Sequence, residues 1–305
     1  MATGFNVASL IDYRDEQAID LKAKMIWAGD SLKYFQKVPG ITNVATITYF
    51  DVNPSIQYGT FCTSMAASGG TSIAQKDLTV CDMKAEDKWC ENDLQKKYFT
   101  YKLKGVSGDN LGPWEKQFLD QVTLKILQAN ETAVWQNPSH SGCTGLVSQI
   151  AADSARTQIA SGFTTITAAN VISAMTAMIT ALVTSAPNIS QDDELYMFVS
   201  PAVHAMYKQA IFANNNFGLP IIDSNGDFVV DFLGPRFTIH STYGLIGTSY
   251  MVLTTLKNLF HGFDGVSDDE KVSLFYEQKD DIIYYRAKYR LGVTFWLADY
   301  IITNF

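Results

Sequence analysis

The sequence predicts an α+β fold, because two long helical patterns lie among many short strand patterns. Residues 113–135 and 167–184 carry apolar side chains at near-helical spacing. From Gly234 onward the chain alternates or runs apolar between charged and glycine-containing turns, which is typical of strands. A third observation is a strand pattern at 41–51 that is followed, after a long insertion, by another at 93–105.

The two helices are predicted from their apolar stripes and from their first residues. Pro113 fits the first position of the earlier helix, because an N–H has no helical partner there. Thr167 is the expected N-terminal cap of the later helix. The apolar residues of the earlier helix are Trp114, Phe118, Val122, Ile126 and Leu127. Those of the later helix, which are expected to be buried, are Val171, Met175, Met178, Ile179 and Leu182.

The N-terminal third of the chain is predicted to form two arms. Residues 10–35 indicate a helix with a charged face and irregular apolar spacing, so this helix is expected to lie across another surface. Pro39 and Gly40 then end it. A long stretch of mixed character separates the strands predicted at 41–51 and 93–105. Because compact domains rarely contain such a loop, the region is predicted to project as a hairpin arm that packs on a neighbour.

The middle of the chain is predicted to contain shorter elements. A helix is expected near 148–160, and the strand Leu195–Val199 leads into a helix that is capped by Ser200 and has Pro201 at its first position. The Asn225–Gly226 pair predicts a hairpin turn. The strands expected nearer the C-terminus are 236–240, 250–259, 272–276, 281–290 and 293–297.

The composition is typical of an ordered globular chain. Of its 305 residues, 47% are hydrophobic and 18% are charged, whereas disordered chains carry fewer apolar groups and more net charge. No apolar run approaches the ~20 residues that a membrane-spanning helix needs. A formal net charge of −8 repels phosphate backbones, so sequence-specific nucleic-acid binding is not expected. Residues 1–10 lack the pattern of a signal peptide, so secretion is not expected.

No motif for catalysis or for cofactor binding is recognisable, so no catalytic, cofactor-binding or metal-binding residue is predicted. The glycines between Gly105 and Gly112 do not have the spacing of a nucleotide-binding loop. The histidines are scattered without nucleophile partners at recognisable spacing. The cysteines also lack the spacing of a zinc site and are expected to be reduced thiols, and they are Cys62, Cys81, Cys90 and Cys143.

Two C-terminal sequence patterns, together with the order of the elements, carry a resemblance to a known family. The patterns are Gly218-Leu-Pro220 through Gly234-Pro235-Arg236-Phe237, and Phe275 followed by Tyr284-Tyr285-Arg286 and Arg290-Leu-Gly-Val293. In this order and spacing the chain resembles the major capsid proteins of tailed bacteriophages. Their Hong Kong 97-type fold is shared by encapsulins and by herpesvirus capsid floors.

The resemblance implies a division of the chain and a role for the hairpin arm. The implied parts are an N-terminal arm at 1–40, an extended loop with flanking strands at 41–105, a spine helix at 106–144, an axial domain at 145–240 and peripheral-domain strands at 241–305. Strands near 41–50 and 98–104 would join the final strands in the peripheral sheet. Because the extended loop in this family lies over a neighbouring subunit, Phe61 and Trp89 are expected to make inter-subunit contacts.

The function implied by the resemblance is structural. Copies of the chain would assemble into the pentamers and hexamers of an icosahedral phage head that encloses double-stranded DNA. Scaffold and portal proteins are the other expected partners, with no membrane and no sequence-specific DNA contact. The expected location is the virion, and the host cytoplasm during assembly. Some family members crosslink the loop through a lysine, but no partner asparagine or catalytic glutamate is identified for Lys76, Lys84 or Lys88, so no crosslink is expected.

Two alternatives stay open from the sequence. An encapsulin-type nanocompartment shell protein has the same fold, and it would need a cargo-binding pocket that the sequence does not locate. A soluble α+β enzyme is the other alternative. No residue makes a positive case for the enzyme, although active sites can be invisible in a sequence.

Overall fold

A computed structural model gives the architecture of most of the chain. The residues that it describes are 30–53, 70–90, 92–94, 96, 114–137, 143–159, 163–187, 189, 194–213, 220–222, 228–230, 237–264 and 273–305. The helices are α1 (Trp114–Gln136), α2 (Leu146–Ala152), α3 (Val171–Ser185) and α4 (Pro201–Ala213). The strands are β1 (Gln36–Pro39), β2 (Val44–Asn53), β3 (Gly70–Thr79), β4 (Cys81–Cys90), β5 (Thr157–Gln158), β6 (Leu195–Val199), β7 (Pro220–Ile222), β8 (Phe228–Val230), β9 (Phe237–Ser241), β10 (Met251–Thr255), β11 (Leu259–Phe263), β12 (Ser273–Glu277), β13 (Ile282–Phe295) and β14 (Ile302–Thr303).

The described strands form two large sheets and a separate hairpin. One sheet has seven strands in the order β5-β14-β10-β6-β9-β8-β7, and the other has five, in the order β1-β11-β13-β12 with β4 also paired to β13. The hairpin consists of β2 and β3. Parallel pairs, such as β6 with β9, occur beside antiparallel ones, such as β6 with β10. Helices and mixed sheets therefore form an α+β architecture, as the sequence predicts.

Helices α3 and α4 pack with the seven-stranded sheet and form one hydrophobic core with it. The apolar stripe predicted on α3 is buried in that core. Helix α4 begins as predicted, because the Ser200 hydroxyl oxygen accepts the N–H of Val203 at 3.2 Å. The predicted cap of α3 is wrong. Asn170 precedes its first turn, and the Asn170 side chain accepts the N–H of Thr167 at 2.7 Å, which holds these residues in a turn before the helix.

Helix α1 packs with the five-stranded sheet in the second core. Its residues Leu119, Ile126 and Trp135 belong to the same cluster as Tyr285 and Tyr289 of β13. Buried and less buried positions alternate along the first half of β13, because one face of the sheet meets the core and the other meets solvent. The strands predicted separately at 281–290 and 293–297 are therefore one long strand.

The strand predicted at 93–105 is wrong where the chain is described, because residues 92–94 are helical. The rest of that prediction lies in 97–105, outside the described residues. The preceding charged run forms β4 and pairs with β13 along its whole length. Charged side chains can occupy this strand because they alternate with Met83, Ala85 and Trp89, which pack against the core of α1.

The expected composition of the peripheral sheet also needs correction. Strand β2 pairs with β3 and not with the five-stranded sheet. Strands β10 and β14 come from the implied peripheral region 241–305, yet they belong to the seven-stranded sheet. The single strand predicted at 250–259 is two strands, β10 and β11, and the 3₁₀ turn Leu256–Asn258 between them carries the chain from one sheet to the other.

Two further predictions are corrected in length. The described end of the helix predicted at 10–35 is a 3₁₀ turn, Leu32–Tyr34, which leads directly into β1. The earlier part of that helix lies outside the described residues. The helix predicted near 148–160 is the shorter α2, and the chain then continues as β5.

Candidate functional site

The hairpin of β2 and β3, called the hairpin arm below, is the candidate site for assembly. Its two strands pair in register from Val44 opposite Thr79 to Asn53 opposite Gly70. At about 3.4 Å per residue, ten residues make a ribbon of about 30 Å. A two-stranded ribbon is marginally stable by itself. The contacts on its two faces therefore decide what holds it in place.

One face of the hairpin arm packs on the body of its own subunit. Leu78 is buried and forms a small cluster with Ile41 and Val80, against which Ala45 and Ile47 also pack. Farther along the arm, the ring of Tyr49 meets the ring of Trp296 edge-on at 5.2 Å. The proximal half of the arm is thus attached to the five-stranded sheet.

A lysine adds a polar attachment on the same face. The Lys76 ammonium lies 3.3 Å from Asp153 Oδ2 and 3.2 Å from the centroid of the Phe295 ring. Burial lowers the pKa of Lys76, and the charge and hydrogen bond of Asp153 offset part of that shift. Because the group is half-buried between a carboxylate and an aromatic face, it attaches the arm to α2 and β13 more firmly than an exposed ion pair could.

The other face of the hairpin arm carries exposed apolar side chains. Ile73 is 62% exposed and Val44 is 48% exposed. Polar neighbours such as Thr46 and Asp77, joined by a hydrogen bond of 3.0 Å, lie between them on that face. The hairpin arm therefore has one face attached to its own subunit and one exposed face on which two apolar side chains lie among polar neighbours.

The corner where β3 turns into β4, residues Thr79 to Cys81, is called the arm root below. Val80 is buried there, and its N–H donates to the carbonyl oxygen of Asn43 at 2.9 Å. Gly292 of β13 passes so close that a Cβ in its place would overlap the Thr79 carbonyl oxygen. The arm root is therefore closely packed against the central strand of the five-stranded sheet.

A disulfide joins Cys81 of the arm root to Cys143, and this corrects the expectation of reduced thiols. The two Cα atoms are 6.0 Å apart, within the usual range for disulfides. The sequence could not indicate the pairing, because 62 residues separate the two cysteines and only the packing of α1 brings them together. Cys90 is a free, exposed thiol. Cys62 lies outside the described residues.

A cavity of about 250 Å³ lies beside the arm root. Its walls include Thr79, Cys143 and Thr144, together with Asn137 and Gln149. The Gln149 amide nitrogen donates to the carbonyl oxygens of Thr144 and Val293, so its donors are already used. Within the described part of the chain, no group of three His, Cys, Asp or Glu side chains is placed to hold a metal ion.

A buried carboxylate forms the main polar network of the body. Glu131 of α1 accepts the N–H of Ser31 at 3.0 Å and the Ser31 hydroxyl at 2.6 Å. It also accepts the Thr242 hydroxyl at 3.3 Å, while Trp135 Nε1 donates to the Ser31 oxygen at 2.9 Å. Burial raises the pKa of Glu131, against the lowering effect of the Ser31 hydrogen bonds. The network joins the chain before β1, helix α1 and the seven-stranded sheet.

A second polar contact reinforces the same junction. His240 Nε2 of β9 lies 3.4 Å from Asp30 Oδ1, and Asp30 also accepts the N–H of Tyr243 at 3.3 Å. Partial burial acts to raise the pKa of Asp30, but His240 and the Tyr243 N–H together bring it below its usual value. The prediction from sequence missed this junction. The signal in the sequence was Glu131, a charged residue near the apolar stripe of the helix predicted at 113–135.

The solvent face of the five-stranded sheet is charged and carries one aromatic pair. Arg286 donates to Glu86 across the strands at 2.8 Å, and Arg290 contacts both Asp82 and Asp264. The rings of Phe275 and Tyr284 stack with centroids 5.2 Å apart, and Phe275 is 44% exposed. This face of the sheet therefore consists of ion pairs at the surface and one partly exposed aromatic pair.

The two residues predicted to make inter-subunit contacts can now be located. Phe61 lies outside the described residues. The placement of Trp89 on the extended loop is wrong, because Trp89 belongs to β4 of the five-stranded sheet. Its ring meets Phe118 edge-on at 4.8 Å and lies 5.8 Å from Tyr285, so it packs within its own subunit. Whether it also touches a neighbour stays a prediction.

Two of the lysines considered above for a crosslink, one on the hairpin arm and one on β4, have ionic partners inside the subunit. Lys76 pairs with Asp153, and Lys84 lies 2.7 Å from Glu86. The Lys84 hydrogen bond, followed by the contact with Arg286, lowers the pKa of Glu86.

None of the described helices combines the length and the apolar character that crossing a membrane requires.

Comparisons with known proteins find matches to solved structures but none to curated sequences or family models. No protein-family model and no curated protein sequence matches this chain. Solved structures match over most of its length, and they share the Hong Kong 97-type capsid fold that the sequence resemblance implies. That prediction of the fold is therefore confirmed.

The matching structures are of particles and phages. The capsid of an empty GTA particle matches with a TM-score of 0.60 at 10% identity, over 90% of this chain and 88% of that chain. A structure of Gordonia phage Cozz matches with a TM-score of 0.58 at 10% identity, over 90% and 85%. A virus-like particle from Pyrococcus furiosus matches with a TM-score of 0.54 at 10% identity, over 96% and 99%. Structural matches at such low sequence identity show the fold and do not show the activity.

Proposed function

We propose that the chain is the major capsid protein of a tailed bacteriophage, a structural subunit that assembles with copies of itself into a closed shell. The observation that supports this most strongly is the match to the capsid of a GTA particle over 90% of this chain. A match of that extent leaves only about a tenth of this chain unmatched. An enzyme built on a borrowed fragment of the fold would match over a smaller part.

Within this proposal, the hairpin arm is the extended loop of the subunit and lies over a neighbouring copy. Its attached face and the exposed side chains of Val44 and Ile73 on its other face support that role. In a closed ring each arm covers the next subunit, so the same contact is repeated around the axis. Phe61, which lies between β2 and β3 in the sequence, is proposed as an anchor of that contact.

The finer parts of the proposal concern the assembled particle. Copies would form pentamers and hexamers around the axial domain at 145–240. The spine helix at 106–144 and most of the strands at 241–305 would belong to the peripheral domain. The shell would enclose double-stranded DNA without reading its sequence, consistent with a net charge of −8. Scaffold and portal proteins would be partners during assembly in the host cytoplasm. The role is structural and not enzymatic.

Electron microscopy with sedimentation velocity tests the proposal. The chain is expressed alone and then together with a scaffold protein from a neighbouring gene. Closed shells, rings of five or six subunits, or open sheets and tubes are the expected products. A compact monomer or dimer that never assembles under either condition would overturn the proposal.

An encapsulin-type nanocompartment is the second candidate. The observation that favours it is the match to the virus-like particle from Pyrococcus furiosus over 96% of this chain and 99% of that chain. Gene neighbours discriminate between the two, because terminase and portal genes accompany a phage capsid and a cargo enzyme accompanies an encapsulin. The soluble-enzyme alternative gains no support from any described group of side chains.

A further inference from the structure

We propose that the Cys81–Cys143 disulfide is a redox-controlled clamp on the arm root, open as two thiols during assembly in a reducing cytosol and closed after the particle is released. The inference rests on the proposed function for the compartment in which the chain assembles. The clamp itself rests on the position of the two cysteines. It concerns the stability of the particle and not its shape.

The bond joins two segments that have no other covalent connection nearby. Cys81 is the first residue of β4, and Cys143 lies in the connection between α1 and α2. The chain between them contains β4 and the whole of α1. Closing the bond therefore ties the root of the hairpin arm to the connection between α1 and α2.

The two segments stay adjacent without the bond. Thr79 of the arm root packs closely against Gly292 of β13, and Gln149 of α2 donates to the carbonyl oxygen of the next residue, Val293, at 2.8 Å, so β13 holds both segments. Cys143 Sγ lies 4.0 Å from the Thr79 carbonyl oxygen, where a reduced thiol could donate a weak hydrogen bond. These contacts do not involve the disulfide, so we expect the reduced subunit to keep the two cysteines close together.

Small reagents can reach the sulfur atoms. Both cysteines are only partly buried, and Cys143 lines the cavity of about 250 Å³ beside the arm root. Cytosolic disulfides are rare because small thiols keep cysteines reduced, whereas bonds of this kind persist in oxidising surroundings. The same bond can therefore be open in the cell and closed outside it.

The closing reaction is a thiol–disulfide exchange with a small-molecule disulfide as the oxidant. One cysteine thiolate attacks the small disulfide and forms a mixed disulfide, which releases one small thiol. The second cysteine thiolate then attacks the protein sulfur of that mixed disulfide and releases the other small thiol. The two protein thiols lose two electrons and two protons, and the small disulfide gains them.

The redox state can be read directly from the cysteines. Cells that contain assembling shells are treated with N-ethylmaleimide before lysis, and purified released particles are treated in the same way. Mass spectrometry of the peptides should show Cys81 and Cys143 alkylated in the first sample and bonded in the second. Equal states in the two samples, whether bonded or alkylated, would overturn the proposal.

The disassembly temperature of the particles tests whether the disulfide stabilises them. Dithiothreitol should lower the disassembly temperature of oxidised wild-type particles by about 5–8 °C, because the bond restrains a long loop. Cys81→Ser and Cys143→Ser particles should disassemble at the lower temperature with or without dithiothreitol. Cys90→Ser is the matched control, since Cys90 is free and exposed, and it should behave like the wild type. A wild type indifferent to dithiothreitol would contradict the clamp.

A measurement on the unassembled chain tests the clamp independently of the proposed capsid function. If no shells form, the capsid assignment fails, but thermal unfolding of the oxidised and reduced chain still measures the clamp. A reductant-dependent fall in the unfolding midpoint supports it, and equal midpoints overturn it. Because the wild-type chain serves for this comparison, the test does not depend on any variant folding.

Discussion

Helix α3 and the hairpin arm place their apolar side chains in opposite environments. Along α3, six residues are buried in the core with the seven-stranded sheet, and they are Val171, Ala174, Met175, Met178, Ile179 and Leu182. Along the arm, Ile73 is 62% exposed although it lies in a regular strand. The apolar stripe of the helix packs inside the subunit, whereas the described contacts of the arm within the subunit lie on one face.

This difference separates stability of the subunit from stability of an assembly. Burial of α3 lowers the free energy of the folded chain whatever its concentration. The exposed face of the arm contributes little until another molecule covers it, so its effect should depend on the concentration of subunits. Substitutions in the two regions should accordingly change different measurements.

The largest effect on subunit stability is expected in α3. Leu182→Ala should lower the free energy of unfolding by about 4 kcal/mol, because it removes a fully buried side chain and leaves a cavity. Urea unfolding of the unassembled chain measures this loss. Val183→Ala is the matched control, since the next residue is 45% exposed, and it should change stability by less than about 1 kcal/mol. Similar losses in the two variants would show that α3 does not form a core.

Acid should destabilise the body through His261. This side chain of β11 is fully buried, and burial, with a smaller effect from the charge of Lys37, lowers its pKa to about 4. The unfolded histidine titrates near pH 6.5, so between about pH 6.5 and 4 the unfolded chain binds a proton that the folded chain excludes. Stability should be complete above that window and fall by up to about 3 kcal/mol as the pH drops through it.

His261→Leu isolates that contribution. Carboxylates titrate in the same range in both proteins, so the difference between variant and wild type cancels their effect. The variant should lose less stability than the wild type between about pH 6.5 and 4, as measured by urea unfolding at several pH values. Parallel curves would contradict the prediction, because they would mean that His261 has the same pKa in the folded and unfolded chains.

A substitution at Trp89 distinguishes packing within the subunit from a contact between subunits. Trp89→Ala should cost the unassembled subunit about 2 kcal/mol, because the ring packs against Phe118 and Tyr285. Lys88→Ala changes the neighbouring exposed residue and should have almost no effect on urea unfolding. An unaffected subunit that forms fragile shells would instead assign Trp89 to an inter-subunit contact, as the sequence predicts.

Elements that show a single clear periodicity were predictable from the sequence. Helices α1 and α3 begin and end within a few residues of the predicted positions, because their apolar residues repeat at helical spacing over several turns. Strand β6 and the capped start of α4 were predictable for a similar local reason, since Ser200 and Pro201 are both favoured at a helix start. Local preference and final packing agree at these positions.

The region around β4 was not predictable, because its pattern can be interpreted in two ways. Asp82, Lys84 and Glu86 suggest a solvated loop, yet they alternate with Met83 and Ala85 at the spacing of a half-buried strand. Pairing with β13, about 200 residues later in the sequence, makes the strand interpretation correct. The Cys81–Cys143 bond and the Glu131 network depend on the same long-range packing, so no local pattern indicates them.

The smallest effect on the subunit, and the sharpest test of the comparison, is expected at Ile73. Ile73→Ser should change urea unfolding of the unassembled chain by less than about 0.5 kcal/mol, because the side chain is mostly exposed. Under the proposed function, the same variant should raise the subunit concentration needed to form shells, as measured by sedimentation velocity. Ile73→Val keeps an apolar side chain and should assemble normally. If Ile73→Ser also assembles normally, the exposed face of the arm is not the surface that a neighbour covers.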